Sequence, residues 1–157
     1  MKAMNKYLKI ALCLALCIGI FACDNQEIDE WDTPFVHIMR DNKSSITVKS
    51  NRRDVVSYYI YYSTEKDDKD LKIDYSVKIG DGLTEGIDFE FITKENPLLF
   101  PSGIYQRPIQ IRWLDNQINP EKDNTIRVKI ESVDRDISIG LPGPDKKQSE
   151  LIIEKVN

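Results

Sequence analysis

Val55-Val56-Ser57-Tyr58-Tyr59-Ile60-Tyr61-Tyr62 is the stretch on which the fold turns. β-branched and aromatic residues fill it, and such residues suit a pleated surface. Both of its faces are largely apolar, which predicts a central strand. Val56, Tyr58, Ile60 and Tyr62 form the better core face. Tyr59 and Tyr61 are then expected to look outward, or to lie under a covering loop.

The flanking sequence repeats the same theme in weaker form. Upstream, Phe35 to Met39 and Ile46 to Lys49 read as strands, and Asn51-Arg52-Arg53 is a polar turn. Downstream, Glu65 to Asp70 is a charged turn of mixed sign. Tyr75, Val77 and Ile79 alternate with Asp74, Ser76 and Lys78, a period of two, until Gly80-Asp81-Gly82 breaks it. Phe89 to Ile92 and Leu98 to Phe100 are short strands on either side of Pro97, and Pro101-Ser102-Gly103 turns the chain. Ile109, Ile111 and Trp113 alternate, as do Ile126, Val128 and Ile130. Ile137 to Gly140 is brief, and Leu151-Ile152-Ile153 begins a last strand.

No window after Asp32 keeps apolar residues at helical spacing. Short strands roughly 10 residues apart, with turn residues between them, predict an all-β sandwich. Its two inner faces supply the core. The alternating strands name that core as Val77, Ile79, Ile109, Ile111, Trp113, Ile126, Val128 and Ile130. A slip of one residue would expose them all, so register is well specified.

Four elements of the second half fall in a specific order. They are Tyr75-Ser76-Val77-Lys78-Ile79-Gly80, Thr84 to Phe89 with its Gly-Ile-Asp-Phe end, Leu99 to Gly103, and Ile109 to Asp115. Glu121, the strand Ile126 to Ile130 and Ile139-Gly140 follow. This order resembles the Calx-beta pattern over about residues 55–155. The resemblance implies an immunoglobulin-like Greek-key β-sandwich of about seven strands. Some Calx-beta domains bind calcium, and the positions matching the family's acidic loops are Asp88, Asp115 and Glu121. Ca²⁺ takes about 6–8 oxygen ligands. Here Asp115-Asn116 stands where two adjacent Asp are common in the family. The end, Glu154-Lys155-Val156-Asn157, lacks the family's acidic cluster. The resemblance thus implies weak calcium binding at best, set against an ordinary polar loop over 115–124. No cofactor is required.

The first residues carry an address. Lys2, Lys6 and Lys9 precede an unbroken apolar run from Ile10 to Ala22. That run fits a secretory signal of about 7–15 apolar residues better than a membrane span of roughly 20. Ile20-Phe21-Ala22-Cys23 resembles a bacterial lipoprotein lipobox, with Cys23 as the lipid-bearing residue and Phe21 bulkier than usual. One acyl chain anchors only marginally; the three chains of the family make a lasting anchor. Residues 24–34 hold Asp24, Glu27, Asp29, Glu30 and Asp32 with no basic partner, so like charges keep this tether extended. Acidic residues after such a Cys resemble the surface-export signal of Bacteroidota lipoproteins. A periplasm-facing spacer is the alternative. Trp31 is expected to pack on the domain edge, or to sit at the membrane interface. The expected organisation is therefore a signal peptide over 1–22, lipidated Cys and acidic tether over 23–34, and the β-sandwich over 35–157. With the lipobox, the resemblance is to small Calx-beta-like lipoproteins of Bacteroidota.

Composition narrows the function. The whole chain carries 22 Lys and Arg against 26 Asp and Glu. Three of the Lys leave with the signal and no acid does, so the remainder is more acidic still. Nucleic acid demands a basic footprint, and none is expected to bind. His37 is the one histidine, expected as a side chain at a sheet edge. No Gly-x-Ser-x-Gly elbow or His-rich metal signature occurs. A non-catalytic protein is expected. Two roles follow. One is a surface-tethered binding module, an accessory to glycan uptake, using Tyr59, Tyr61 and Trp31. The other is an assembly component contacting an outer-membrane protein through a sheet edge.

Overall fold

The described residues form ten strands: β1 (Phe35–Met39), β2 (Ser45–Lys49), β3 (Val55–Ser63), β4 (Leu71–Ile79), β5 (Phe89–Phe91), β6 (Leu98–Phe100), β7 (Gln106–Trp113), β8 (Thr125–Val133), β9 (Ser138–Ile139) and β10 (Glu150–Val156). The structure is a computed structural model and describes residues 33–64 and 69–157. Cys23 and Trp31 lie outside the described residues. The sandwich belongs to the unit Asp32–Asn157.

The strands form two five-stranded sheets, in the orders β5-β7-β3-β1-β9 and β2-β10-β8-β4-β6. Successive long strands change sheet, β3 to β4 and β7 to β8. Lettered as in an immunoglobulin domain, β5-β7-β3-β1 is D-E-B-A and β10-β8-β4 is G-F-C. The Greek-key sandwich expected from the sequence is therefore present. Its strand number differs. β2, β6 and β9 are additional short strands, and two of them pair in parallel, β2 with β10 and β9 with β1.

β3 is central, between β1 and β7. Val56, Tyr58, Ile60 and Tyr62 are buried and the intervening residues are half-buried. Across the sandwich, Leu71, Ile73, Ile126, Val128, Leu151 and Ile153 close on them from the second sheet. Full burial of one such side chain stabilises by about 1.5–3 kcal/mol. Among the described residues Trp113 and Tyr58 are the two largest fully buried side chains. The indole Nε1 donates to the Tyr58 hydroxyl at 3.0 Å, so neither polar atom is left bare in the core.

β4 departs from expectation. It begins at Leu71, not Tyr75, and Leu71 and Ile73 are fully buried. At the other end Val77 is only partly buried and Ile79 is 38% exposed. The cause is the neighbour. β6 flanks only Leu71 to Ile73, so the later half of β4 runs along an open edge. Asn96 replaces the missing strand at one point. Its Oδ1 accepts from Tyr75 N–H at 3.3 Å and its Nδ2 donates to Tyr75 O at 2.9 Å.

The Gly80-Asp81-Gly82 turn lies directly on the start of β8. Gly82 N–H donates to Asp123 O at 2.9 Å, and Asp123 N–H to the Asp81 carboxylate at 3.0 Å. A Cβ on Gly80 would fall 2.1 Å from Asp123 O. Only glycine permits so close an approach.

Candidate functional site

The outer face of the first sheet carries rings where alternation ordinarily places polar groups. On β1, Phe35 and His37 stand with ring centroids 5.3 Å apart. Register places Tyr61 of β3 opposite His37. The two rings stack at 5.3 Å with an interplanar angle of 18°. Tyr59 continues the row 6.0 Å from Tyr61 and lies beside Pro108 of β7. The row is thus Phe35, His37, Tyr61, Tyr59, crossing two strands.

Burial grades along this row. Phe35, Tyr59 and Tyr61 are half-buried, whereas His37 is buried. The expectation of His37 at a sheet edge is corrected. β1 lies between β3 and β9, and Ile38 N–H donates to Gln148 O at 2.8 Å, so the strand is enclosed. Burial holds the imidazole below its ordinary pKa, favouring the neutral ring. Its Nδ1 finds no hydrogen-bond partner. Its ring contacts are with Phe35 and Tyr61. Tyr59 and Tyr61 look outward, as expected, and the covering-loop alternative falls partly on residues 65–68, outside the described set.

The three acidic residues expected around calcium have other partners. Asp88 is buried and pairs with Lys155, whose Nζ lies 3.1 Å from Oδ1. Asp88 also accepts from Thr84 N–H at 2.9 Å and from Asn116 Nδ2 at 3.0 Å. Burial by itself pushes the Asp88 carboxyl up; these donors outweigh it and hold the group below the usual carboxylate range. Asp115 forms an ion pair with Arg53. Glu121 is exposed, its N–H donating to the Asn119 side chain at 3.0 Å. Among the described residues no group of three or more His, Cys, Asp or Glu gathers to hold a metal ion. Two of the three positions, Asp88 and Asp115, face cations of the chain itself.

Lys155 is the interior residue that sequence reading missed. Leu151, Ile153 and Lys155 occupy alternate positions on β10 and all three are buried. The signal was available, since Lys155 falls in step with Leu151 and Ile153 on the inward face. Its ammonium donates to Asp88 O at 3.2 Å and Leu114 O at 3.0 Å besides the carboxylate. The charge is therefore met on three sides, as a buried charge must be.

No family model matches this sequence, and no curated protein matches it. Among solved structures the chain is similar to a two-domain protein of unknown function from Bacteroides fragilis. The TM-score is 0.48 and the identity 11%, over 80% of this chain and 46% of that one. The chain thus spans less than half the length of that protein.

Proposed function

We propose that this protein is a non-catalytic, lipid-anchored envelope module that uses the outer aromatic row of its first sheet to bind a partner, a glycan first among them. One observation carries the binding face. Tyr59 and Tyr61 stand half-buried on the solvent side of β3, continuous with Phe35 and His37. A contiguous aromatic patch on an outer sheet face marks an interaction surface. The lipobox-like Ile20 to Cys23, the acidic tether and the basic start support the anchor and the outer-membrane, outward-facing location.

The geometry also shapes the expected contact. Rings that stack on one another turn rims and hydroxyls outward, so binding combines edge contact with hydrogen bonds from the tyrosine hydroxyls. Titration with soluble glycans, followed by intrinsic fluorescence, tests the reading. Saturable binding weakened about tenfold or more by Tyr59→Ala, a loss of roughly 1.4 kcal/mol, supports it. No binding to any glycan, together with co-purification of an outer-membrane protein, selects the assembly role instead. The open edge of β4 beyond Ile73 favours that second reading, because an unflanked strand accepts a strand from a partner.

A further inference from the structure

The Lys155–Asp88 pair has a third member whose chemistry the fold does not require. Asn116 Nδ2 donates to Asp88 Oδ1 at 3.0 Å, the same oxygen that lies 3.1 Å from Lys155 Nζ. One carboxylate oxygen therefore holds an amine and a carboxamide side by side. The other oxygen takes the Thr84 N–H at 2.9 Å, which fixes the plane of the carboxylate. The surroundings are dry. The side chains of Lys155 and Asp88 are 0% and 5% exposed, and the neighbouring Phe89 and Trp113 are fully buried. Water exclusion lowers the cost of passing a proton from Lys155 to a carboxylate that its donors otherwise keep ionised.

We propose that Lys155 and Asn116 become joined by an isopeptide bond that the folded protein forms itself, with Asp88 as proton carrier. The Lys155 ammonium first gives one proton to Asp88 Oδ1. Its two remaining N–H groups stay on the carbonyls of Asp88 and Leu114, and the freed lone pair becomes available to Asn116, which shares the same carboxylate oxygen. Nζ then attacks Cγ of Asn116. One Nζ–Cγ bond forms and the Cγ–Nδ2 bond breaks. Nζ loses a second proton, relayed through the carboxyl to Nδ2, and the leaving group departs as neutral ammonia. Asp88 ends protonated, so no unpaired charge stays in the interior. No oxidant, metal or second reactant enters the balance. Positioning supplies the rate, as it does for other well-oriented intramolecular reactions. Asn116 is half-exposed, which gives ammonia a way out.

The bond would tie β10 of the second sheet to the segment that follows β7 of the first. Residues 24–157 contain no cysteine, so no disulfide competes for that role. Peptide mapping of the unfolded full-length protein by mass spectrometry is the test. A branched peptide linking Lys155 to Asn116, lighter than the sum of its parts by one ammonia, is the expected result. Protease cleavage after Lys155 is lost with it. Asn116→Ala, at a half-exposed position, should restore both the unbranched peptides and the cleavage; Lys155→Arg serves as the second variant. Unbranched peptides from the wild-type chain overturn the proposal. So does a branch at Asp88 with loss of water, which would make the carboxylate the acceptor. None of these readouts depends on the lipid anchor or on any bound partner.

Discussion

Tyr58 shows how one side chain couples the interior to solution conditions. Burial, opposed in part by the hydrogen bond from Trp113, pushes its phenol from 10.0 up to about 12. A raised folded-state value means that the neutral hydroxyl stabilises the fold. That contribution is complete below the unfolded value of about 10 and is lost as pH rises through about 12. Alkaline titration of unfolding free energy should therefore show a fall across this window that is smaller in Tyr58→Phe. The same variant leaves the Trp113 N–H buried without an acceptor, a loss of about 1–3 kcal/mol at neutral pH. Chemical denaturation measures both effects on one pair of proteins. The charged residues of the interior were harder to read. Asp88 and Lys155 lie 67 positions apart, and nothing local in either stretch names the other. Lys155 falls in step with Ile153 on the inward face of β10, a signal the sequence reading passed over; only the fold shows what waits there. The partners of Asp88 and Asp115 were hidden for the same reason, because Lys155 and Arg53 reach them through tertiary contacts.

Elements divide by how much of their surroundings is local. β7 and β8 were legible because alternation alone specifies a strand with one buried face, and β3 because its aromatic and β-branched run suits a pleated surface; Tyr58, Ile109, Ile111, Trp113, Ile126 and Val128 are all fully buried. β4 was legible as a strand and misjudged in depth. Its burial follows the reach of β6, which covers Leu71 to Ile73 and no further. A three-residue neighbour cannot be placed from sequence spacing. The turn after β4 offers a direct check on packing at this scale. Gly80→Ala would bring a Cβ to 2.1 Å from the Asp123 carbonyl, so the β4–β8 connection must shift. Overpacking of this kind costs typically 1–3 kcal/mol. The variant should melt several degrees lower, with the largest hydrogen-exchange change at residues 80–83 and 123–125.

For the whole molecule, the anchor and the domain make separable claims. Replacing Cys23 by Ser removes the expected acylation site and should move the protein from the membrane fraction to the soluble one. The melting temperature of the sandwich should stay the same, since its core comes from residues of the unit beginning at Asp32. Fractionation and calorimetry on the same preparation check the two halves of that statement. Retention in the membrane fraction after the substitution would refer the location to another feature of the chain.

β2 finds its strand partner in β10, across almost the full length of the domain. The second sheet therefore cannot close until its most distant strand has arrived, and loop-closure entropy is spent well before any contact rewards it. A chain wired in this way is expected, from its contact order, to stay an open thread until its last strand is made. Such a thread can pass through a narrow translocation channel and take its shape on the far side. On the export reading proposed above, delay in folding is a condition of delivery.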